Sequence, residues 1–263
     1  MCGHGEKKLI YMIITSACLY VLASVLRRKA RAATAFFICG WLLNAACIAS
    51  ITLSCGRLPL ENTKQVLVFC GACFLPVWLA FEKSGIREAG AAKFSLPAAL
   101  SLLASVFVRD GSMAVSGNPF LESAWFVPHV VSYAVSYSLM GVAFISGVAA
   151  FFGEKAGSRE GSERCDEIAF RLVKISFPLM SFGLLSGAAW ADAAWSSYWS
   201  WDAKETWSLI TWMLYLLYLH LRKGPVPAVF SRTAHFLAFS SLIITFLAVN
   251  LLPGMKSALH SNF

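Results

Sequence analysis

Residues 128–152 read PHVVSYAVSYSLMGVAFISGVAAFF, a run of apolar and small residues without any Asp, Glu, Lys or Arg. A helix needs about 20 mostly apolar residues to cross the hydrocarbon core of a bilayer, and this run is long enough. Because lipid offers no partners to backbone N–H and C=O groups, such a run is stable in a bilayer as a helix. The segment therefore predicts a membrane-spanning helix.

Seven further segments resemble this one in length and composition. The chain is thus predicted to be all-α, a polytopic membrane helix bundle of about eight transmembrane helices that forms one domain, residues 1–263. The predicted spans are residues 8–26, 33–53, 64–81, 90–108, 128–152, 168–190, 203–222 and 231–252. The third and fourth are the weakest. The polar, Gly- and Ser-rich segment 153–166 is expected to be a mobile loop.

Composition supports a membrane class and argues against a nucleic-acid partner. Only 14% of the residues are charged and 58% are hydrophobic, whereas a soluble domain carries about 25% charged residues. The net charge of +8 is spread over short loops between apolar segments. It forms no single basic stripe, so the expected environment is the lipid bilayer and no nucleic acid is expected.

The basic residues predict an orientation. Fifteen Lys and Arg residues lie in or beside the loops after the first, third, fifth and seventh spans, against seven elsewhere, together the chain's 22. Loops rich in Lys and Arg stay on the cytoplasmic side. Both chain termini are therefore expected on the outer side.

One outer loop is unusually rich in tryptophan. Residues 190–207 read WADAAWSSYWSWDAKETW and contain five of the nine tryptophans of the chain. An aromatic belt at the headgroup level accounts for one or two such residues at a helix end. A run of this density suits a large, flat, apolar ligand whose edge stays wet. We therefore expect this loop to hold a ligand of that kind.

Asp202 has a local role that is compatible with ligand binding. Asp202 and Glu205 are spaced as a capping box at the start of the seventh span. A helix N-terminus also offers N–H groups and partial positive charge to a carboxylate of a ligand, and Lys204 would add to that charge.

The eight cysteines do not suggest a disulfide framework, since most lie inside apolar runs, where packing is the better account. Cys70 and Cys73 have the spacing of a redox or metal site, which stays open as an alternative.

The motif WSSYWSWDAKETW, residues 195–207, resembles the Trp-Trp-Asp signature of the cytochrome c assembly family. Its Lys-Glu-Thr-Trp ending is most similar to the CcsA/ResC branch, although Ser196 and Ala203 replace a Gly and a Pro common there. GRLPLEN at 56–62, PFLESAW at 119–125, HVVSYA at 129–134 and NLLPGMKSALHS at 250–261 also resemble family segments. The resemblance covers roughly residues 55–263.

The resemblance implies a set of heme-binding residues. His129 and His260 match the family's two outer heme-iron ligands, and both flank the tryptophan-rich loop in the predicted topology. His220 matches an inner-side heme ligand, whose partner histidine belongs to a second protein. His235 and His4 receive no site role. The residues expected to contact heme b, iron protoporphyrin IX, are Trp190, Trp195, Tyr198, Trp199, Trp201, Asp202 and Lys204.

The resemblance also implies a function. The expectation is the heme-handling subunit of a system II cytochrome c synthase, a heme lyase component that acts with a CcsB/ResB partner on the CxxCH motif of apocytochrome c. The membrane would be a bacterial inner membrane or a thylakoid. A CcmC-type heme presenter without lyase activity and a HemX-type membrane regulator are the alternatives.

Overall fold

The computed structural model describes residues 2–83, 90–108, 112–113, 115 and 118–249, and these are helical apart from turns and loops. The helices are α1 (Cys2–Val25), α2 (Ala30–Cys55), α3 (Thr63–Lys83), α4 (Ala91–Phe107), α5 (Phe126–Lys155), α6 (Arg159–Trp195), α7 (Ala203–Lys223) and α8 (Ala228–Ile243). A 3-10 turn, Pro119–Leu121, precedes α5, and α8 continues as a π-helical turn, Ile244–Ala248. The predicted all-α fold is confirmed.

Six of these helices are long and apolar enough to cross a bilayer. They are α1, α2, α3, α5, α6 and α8 with its π-helical turn. Helix α4 is apolar but has 17 residues, so the predicted fourth span is short. Helix α7 has 21 residues, about 32 Å at the helical rise, yet it is not among the six. The chain is an integral membrane protein, while the side on which its termini lie stays a prediction.

The chain divides into two compact units, Met1–Gly117 and Asn118–Phe263, and each has four α-helices among the described residues. In the first unit, α1 packs against α2 and α4, and α3 packs against α4. Buried side chains form hydrogen bonds between these helices. Ser16 donates to the Gly40 carbonyl at 2.6 Å, and Asn44 donates to the Val68 carbonyl at 3.1 Å. Cys70 and Cys73 are buried in α3. That the two units form one heme-handling domain stays a prediction.

The second unit contains the predicted site. Helices α5 and α6 form its most extensive pair, and α7 pairs with α8. A hydroxyl cluster ties α7 to the end of α8, because Thr211 Oγ1 lies 2.8 Å from Ser241 Oγ and 3.1 Å from Thr245 Oγ1. Hydroxyl pairs of this kind join membrane helices where apolar packing alone gives little specificity.

Arg232 provides an ionic link at the start of α8. Its Nη2 lies 2.6 Å from Asp166 Oδ2 in α6, and its Nη1 pairs with Glu154 near the end of α5. Ser162 Oγ accepts a further hydrogen bond at 3.3 Å. One guanidinium thus holds three helices of the unit together.

The loop expected over residues 153–166 is much shorter than predicted. Helix α5 continues to Lys155 and α6 begins at Arg159, so the prediction is wrong except at residues 156–158. The polar residues of this segment support the helix instead of breaking it. Arg159 pairs with Glu163 at 3.0 Å, an i,i+4 spacing that places opposite charges side by side on a helix.

Candidate functional site

His129 lies in the first turns of α5, and a hydrogen bond to α6 fixes its ring. Its Nδ1 is 2.7 Å from the carbonyl oxygen of Gly183. A carbonyl oxygen only accepts hydrogen bonds, so Nδ1 carries the proton and donates it. In this neutral tautomer the coordinating lone pair is on Nε2.

Two aromatic rings orient the His129 imidazole further. The ring stacks on Trp190 with a centroid distance of 5.8 Å and an interplanar angle of 21°. Tyr133, one turn along α5, meets the imidazole edge-on at 5.1 Å and 85°. The ring is therefore defined in position, plane and tautomer by its neighbours.

Trp190 is the packing centre of this end of the unit. Its side chain is 5% exposed, and its indole Nε1 donates to the Phe120 carbonyl at 2.9 Å. Its ring also contacts Phe126 at 5.5 Å and Trp195 at 5.1 Å. Trp190 thus joins the 3-10 turn, the start of α5 and the edge of the tryptophan-rich segment.

The loop itself is shorter than the sequence predicts. Helix α6 runs through Trp190 to Trp195 and α7 begins at Ala203, so only residues 196–202 form the loop. Helix α6 ends because Ser196 adopts the left-handed conformation at φ 58°, a geometry that satisfies the last carbonyls of a helix. The prediction of a loop over residues 190–207 is therefore wrong in its extent.

The loop displays two aromatic side chains. Tyr198 is 63% exposed and Trp201 is 70% exposed. Trp201 has a positive φ of 59°, which is rare for a bulky residue. Its ring meets Trp199 edge-on at 5.8 Å, so the exposed indole is braced by a half-buried one.

Asp192, near the end of α6, influences the ionisation of Tyr198. A hydrogen-bonding interaction with the Asp192 carboxylate, together with its negative charge, raises the pKa of Tyr198. The negative charge disfavours the phenolate, so Tyr198 presents a neutral hydroxyl beside Trp199.

Asp202 caps α7 as predicted, while Glu205 departs from the expected box. The Asp202 carboxylate accepts the Glu205 N–H at 2.8 Å. Glu205 Oε2 reaches back beyond Asp202 to the Ser200 N–H at 2.7 Å and the Ser200 hydroxyl at 3.1 Å. The start of α7 therefore fixes the loop that precedes it. Lys204, in the first turn, is half-buried.

Replacing Asp202 by alanine is expected to destabilise the protein by about 1 kcal/mol, the usual effect of losing an N-cap side chain. Asp202→Asn keeps the acceptor oxygen and serves as the control, with a smaller expected loss. Thermal unfolding in detergent measures both. Equal losses in the two variants would contradict the capping account.

His220 lies at the other end of α7. It is eighteen residues beyond Asp202, about 27 Å along a helix. Its Nδ1 is 2.8 Å from the Leu216 carbonyl, so Nε2 again carries the lone pair. The side chain is exposed on the surface of the unit. His260 lies outside the described residues.

Known proteins resemble this chain in sequence and in fold. Residues 8–256 match the family described as Cytochrome C assembly protein. The chain belongs to this family. It is 32% identical over 226 residues to the cytochrome c biogenesis protein CcsA of Chlamydomonas reinhardtii, a match that covers 78% of this chain and 61% of that protein. A match to CcsA of Gloeobacter violaceus, 30% identical, covers 95% of this chain and 92% of that protein.

A solved structure has the same fold. The cytochrome c heme lyase CcmF superimposes with a TM-score of 0.61 at 16% sequence identity, over 92% of this chain and 45% of CcmF. This chain therefore spans less than half of CcmF and about three fifths of the Chlamydomonas relative. At this identity the CcmF likeness shows the fold alone.

The structure of this cytochrome c assembly family member adds two glycines that the sequence patterns did not single out. Gly183 accepts a hydrogen bond from His129, and Gly187 lies against its ring. Tyr133, which belongs to the segment HVVSYA, also contacts His129. The spacing Gly183-x-x-x-Gly187, typical of close helix packing, could have revealed the two glycines. His235, given no site role, is buried in α8 with its ring 4.9 Å from that of Tyr218.

Proposed function

We propose that this chain is the heme-handling subunit of a system II cytochrome c synthase. It moves heme b to the outer side of the membrane and presents it there for thioether attachment to apocytochrome c. Membership of the cytochrome c assembly family and the names of the CcsA relatives support the role. The structural observation that best supports this role is the hydrogen bond between His129 Nδ1 and the Gly183 carbonyl.

That hydrogen bond is typical of a metal-ligating histidine. Such residues usually donate one ring N–H to a backbone carbonyl or a carboxylate, which fixes the tautomer and directs the other nitrogen to the metal. His129 meets this condition from within the protein. It is thus our first axial ligand of an outer heme, and His260 is proposed as the second.

Aromatic side chains at the end of α6 and in the loop that follows suit the rest of the group. Trp195, Trp199 and Trp201 provide flat apolar surfaces, and Tyr198 adds a neutral hydroxyl. The indole Nε1 of Trp199 is buried without a hydrogen-bond partner in the part of the chain that the structure describes. A buried donor of this kind is costly unless it is satisfied, and a heme propionate is a suitable acceptor. Lys204 and the cap at Asp202 would lie beside such a carboxylate.

The chemistry then depends on position. When bound, heme supplies two vinyl groups, and each cysteine S–H of the apocytochrome CxxCH motif adds across one of them, with no oxidant required. Residues of this chain hold and orient the reacting groups and exclude bulk water. His129 and His260 would hold the iron, and the histidine of the incoming motif would displace one of the two.

His220 is proposed as an inner-side heme ligand. Its Nδ1 donates to a carbonyl of its own helix, and the side chain is exposed. An exposed ligand suits an iron shared with a second chain, and a CcsB/ResB-type membrane protein is the proposed partner. The membrane is proposed to be a bacterial plasma membrane or a thylakoid.

The full chain, purified in detergent and loaded with hemin, tests the proposal. The reduced wild type is expected to show a low-spin bis-histidine spectrum from the outer site. His129→Ala is expected to lower that component at least tenfold and to regain it when imidazole is added. His235→Gln, which changes a histidine outside the site, serves as the control and should match the wild type.

Two outcomes would overturn the proposal. One is a chain that takes up no hemin under any of these conditions. The other is a His129→Ala spectrum that equals that of the wild type.

A further inference from the structure

Helix α6 presents three consecutive contacts to His129 from one face. Gly183, Gly187 and Trp190 follow at spacings of four and three residues, which places them above one another on a helix. Gly183 supplies the carbonyl that accepts the Nδ1–H at 2.7 Å. Trp190 supplies the stacked indole at 5.8 Å. Gly187 lies between these two contacts.

The imidazole occupies the space that a side chain at Gly187 would fill. A Cβ built on Gly187 would lie 2.6 Å from both Cε1 and Nδ1 of His129. Real Cβ atoms essentially never come this close to another heavy atom, so any larger residue displaces the ring. A Cβ on Gly183 would lie 3.0 Å from the Tyr133 ring, so the second glycine admits the neighbouring ring of α5 in the same way.

Displacing the ring would change the direction of its coordinating nitrogen. The Nδ1–H bond and the Trp190 stack both require the imidazole to lie against α6. A methyl group at Gly187 pushes Cε1 and Nδ1 away from that surface, and the hydrogen bond to Gly183 is lost with them. Ligating groups need their geometry held to about 0.5 Å and 10–20°, and the overlap at Gly187 exceeds that tolerance.

We propose that Gly187 is a positioning residue for heme ligation: the notch that it forms in α6 sets the direction of His129 Nε2. This inference rests on the proposed function, because it assumes that His129 is an iron ligand. In other metal sites a hydrogen-bonding residue holds the orientation of the ligating histidine. Here Gly187, which has no side chain, would contribute to the same orientation.

Gly187→Ala in the hemin-loaded full chain tests the inference. We expect the low-spin component from His129 to fall 10- to 100-fold, the range found when the supporting groups of a metal ligand are altered. Added imidazole should restore the low-spin spectrum, because an unattached ligand can take the free axial position. The matched control is Gly147→Ala, whose Cβ would press on His235 at 3.0 Å and which should leave the heme spectrum unchanged.

A second pair of variants keeps the test decisive if Gly187→Ala does not fold. His129→Gly removes the ring that supplies the three atoms nearest to a Cβ at Gly187, so His129→Gly/Gly187→Ala is expected to fold. In His129→Gly, free imidazole can occupy the space beside Gly187. In His129→Gly/Gly187→Ala, the added methyl group fills that space. We expect imidazole to bind the hemin-loaded double variant at least tenfold more weakly.

The outcomes separate the inference from the proposed function. The positioning role is overturned if Gly187→Ala shows the wild-type spectrum while His129→Ala loses the low-spin component. His129 would then remain a ligand. Equal imidazole affinity in His129→Gly and His129→Gly/Gly187→Ala also overturns the positioning role. An equal spectral loss in Gly187→Ala and Gly147→Ala overturns it as well. A wild-type spectrum in His129→Ala overturns the proposed function itself.

Discussion

Trp190→Ala is expected to lower the free energy of unfolding of the second unit by about 3–5 kcal/mol, the usual range for truncating a buried tryptophan. The variant removes contacts to Phe126 and Trp195 and the stack on His129. It also leaves the Phe120 carbonyl without the indole N–H that it accepts at 2.9 Å. Thermal or denaturant unfolding in detergent measures the loss.

Two variants separate the parts of this effect. Trp190→Phe keeps an aromatic ring and removes the N–H, so about 1 kcal/mol of the loss is expected from the hydrogen bond. Trp125→Ala truncates an exposed tryptophan of the same unit and should cost much less than Trp190→Ala. A Trp190→Ala protein as stable as Trp125→Ala would contradict the central role of Trp190.

Arg232→Ala is expected to lower the free energy of unfolding by about 3 kcal/mol, the lower end of the range for breaking a buried ion pair. The Arg232 and Asp166 side chains are 18% and 13% exposed. Removing the guanidinium leaves the Asp166 carboxylate desolvated and unpaired, and it also releases Glu154 and Ser162. The cost thus comes from the charge left behind as well as from lost contacts.

A surface ion pair of α6 provides the matched control. Arg159→Ala breaks an exposed i,i+4 pair with Glu163, which is worth about 0.3–0.5 kcal/mol. The double variant Arg232→Leu/Asp166→Leu removes both charges and should regain much of the stability lost in Arg232→Ala. A loss in Arg232→Ala no larger than in Arg159→Ala would contradict the link between the three helices.

The sequence predicts the helices well where apolar length decides them. The predicted span 203–222 corresponds to α7 at Ala203–Lys223, and the span 128–152 lies inside α5. It fails at residues 159–166, because composition counts charges and does not show that they pair along one helix face. It also misplaces the start of the tryptophan-rich loop, since nothing in the composition marks Ser196 as the left-handed residue that ends α6.

The sequence predicted the side chains of the candidate site. It did not predict the residues that hold those side chains in position. His129, Trp199 and Asp202 carry recognisable chemistry, and Asp202 caps α7 as its spacing with Glu205 predicts. Gly183 and Gly187 act through a backbone carbonyl and through missing atoms. Their role depends on how α5 and α6 approach each other, which is a tertiary property. The reach of Glu205 to Ser200 depends likewise on the loop path.

The left-handed backbone of Trp201 has a consequence for the affinity of any ligand that stacks on it. The conformation disfavours a bulky residue by about 1–2 kcal/mol, so it persists because the surrounding loop holds it. The backbone that carries the exposed indole is therefore fixed before a ligand arrives, and the edge contact with Trp199 at 5.8 Å restricts the ring. Ordering a flexible side chain on binding opposes association by about 0.5–1.5 kcal/mol, and a ring restricted in this way would oppose it less. Part of the ordering that a stacked ligand requires is thus already met by the fold.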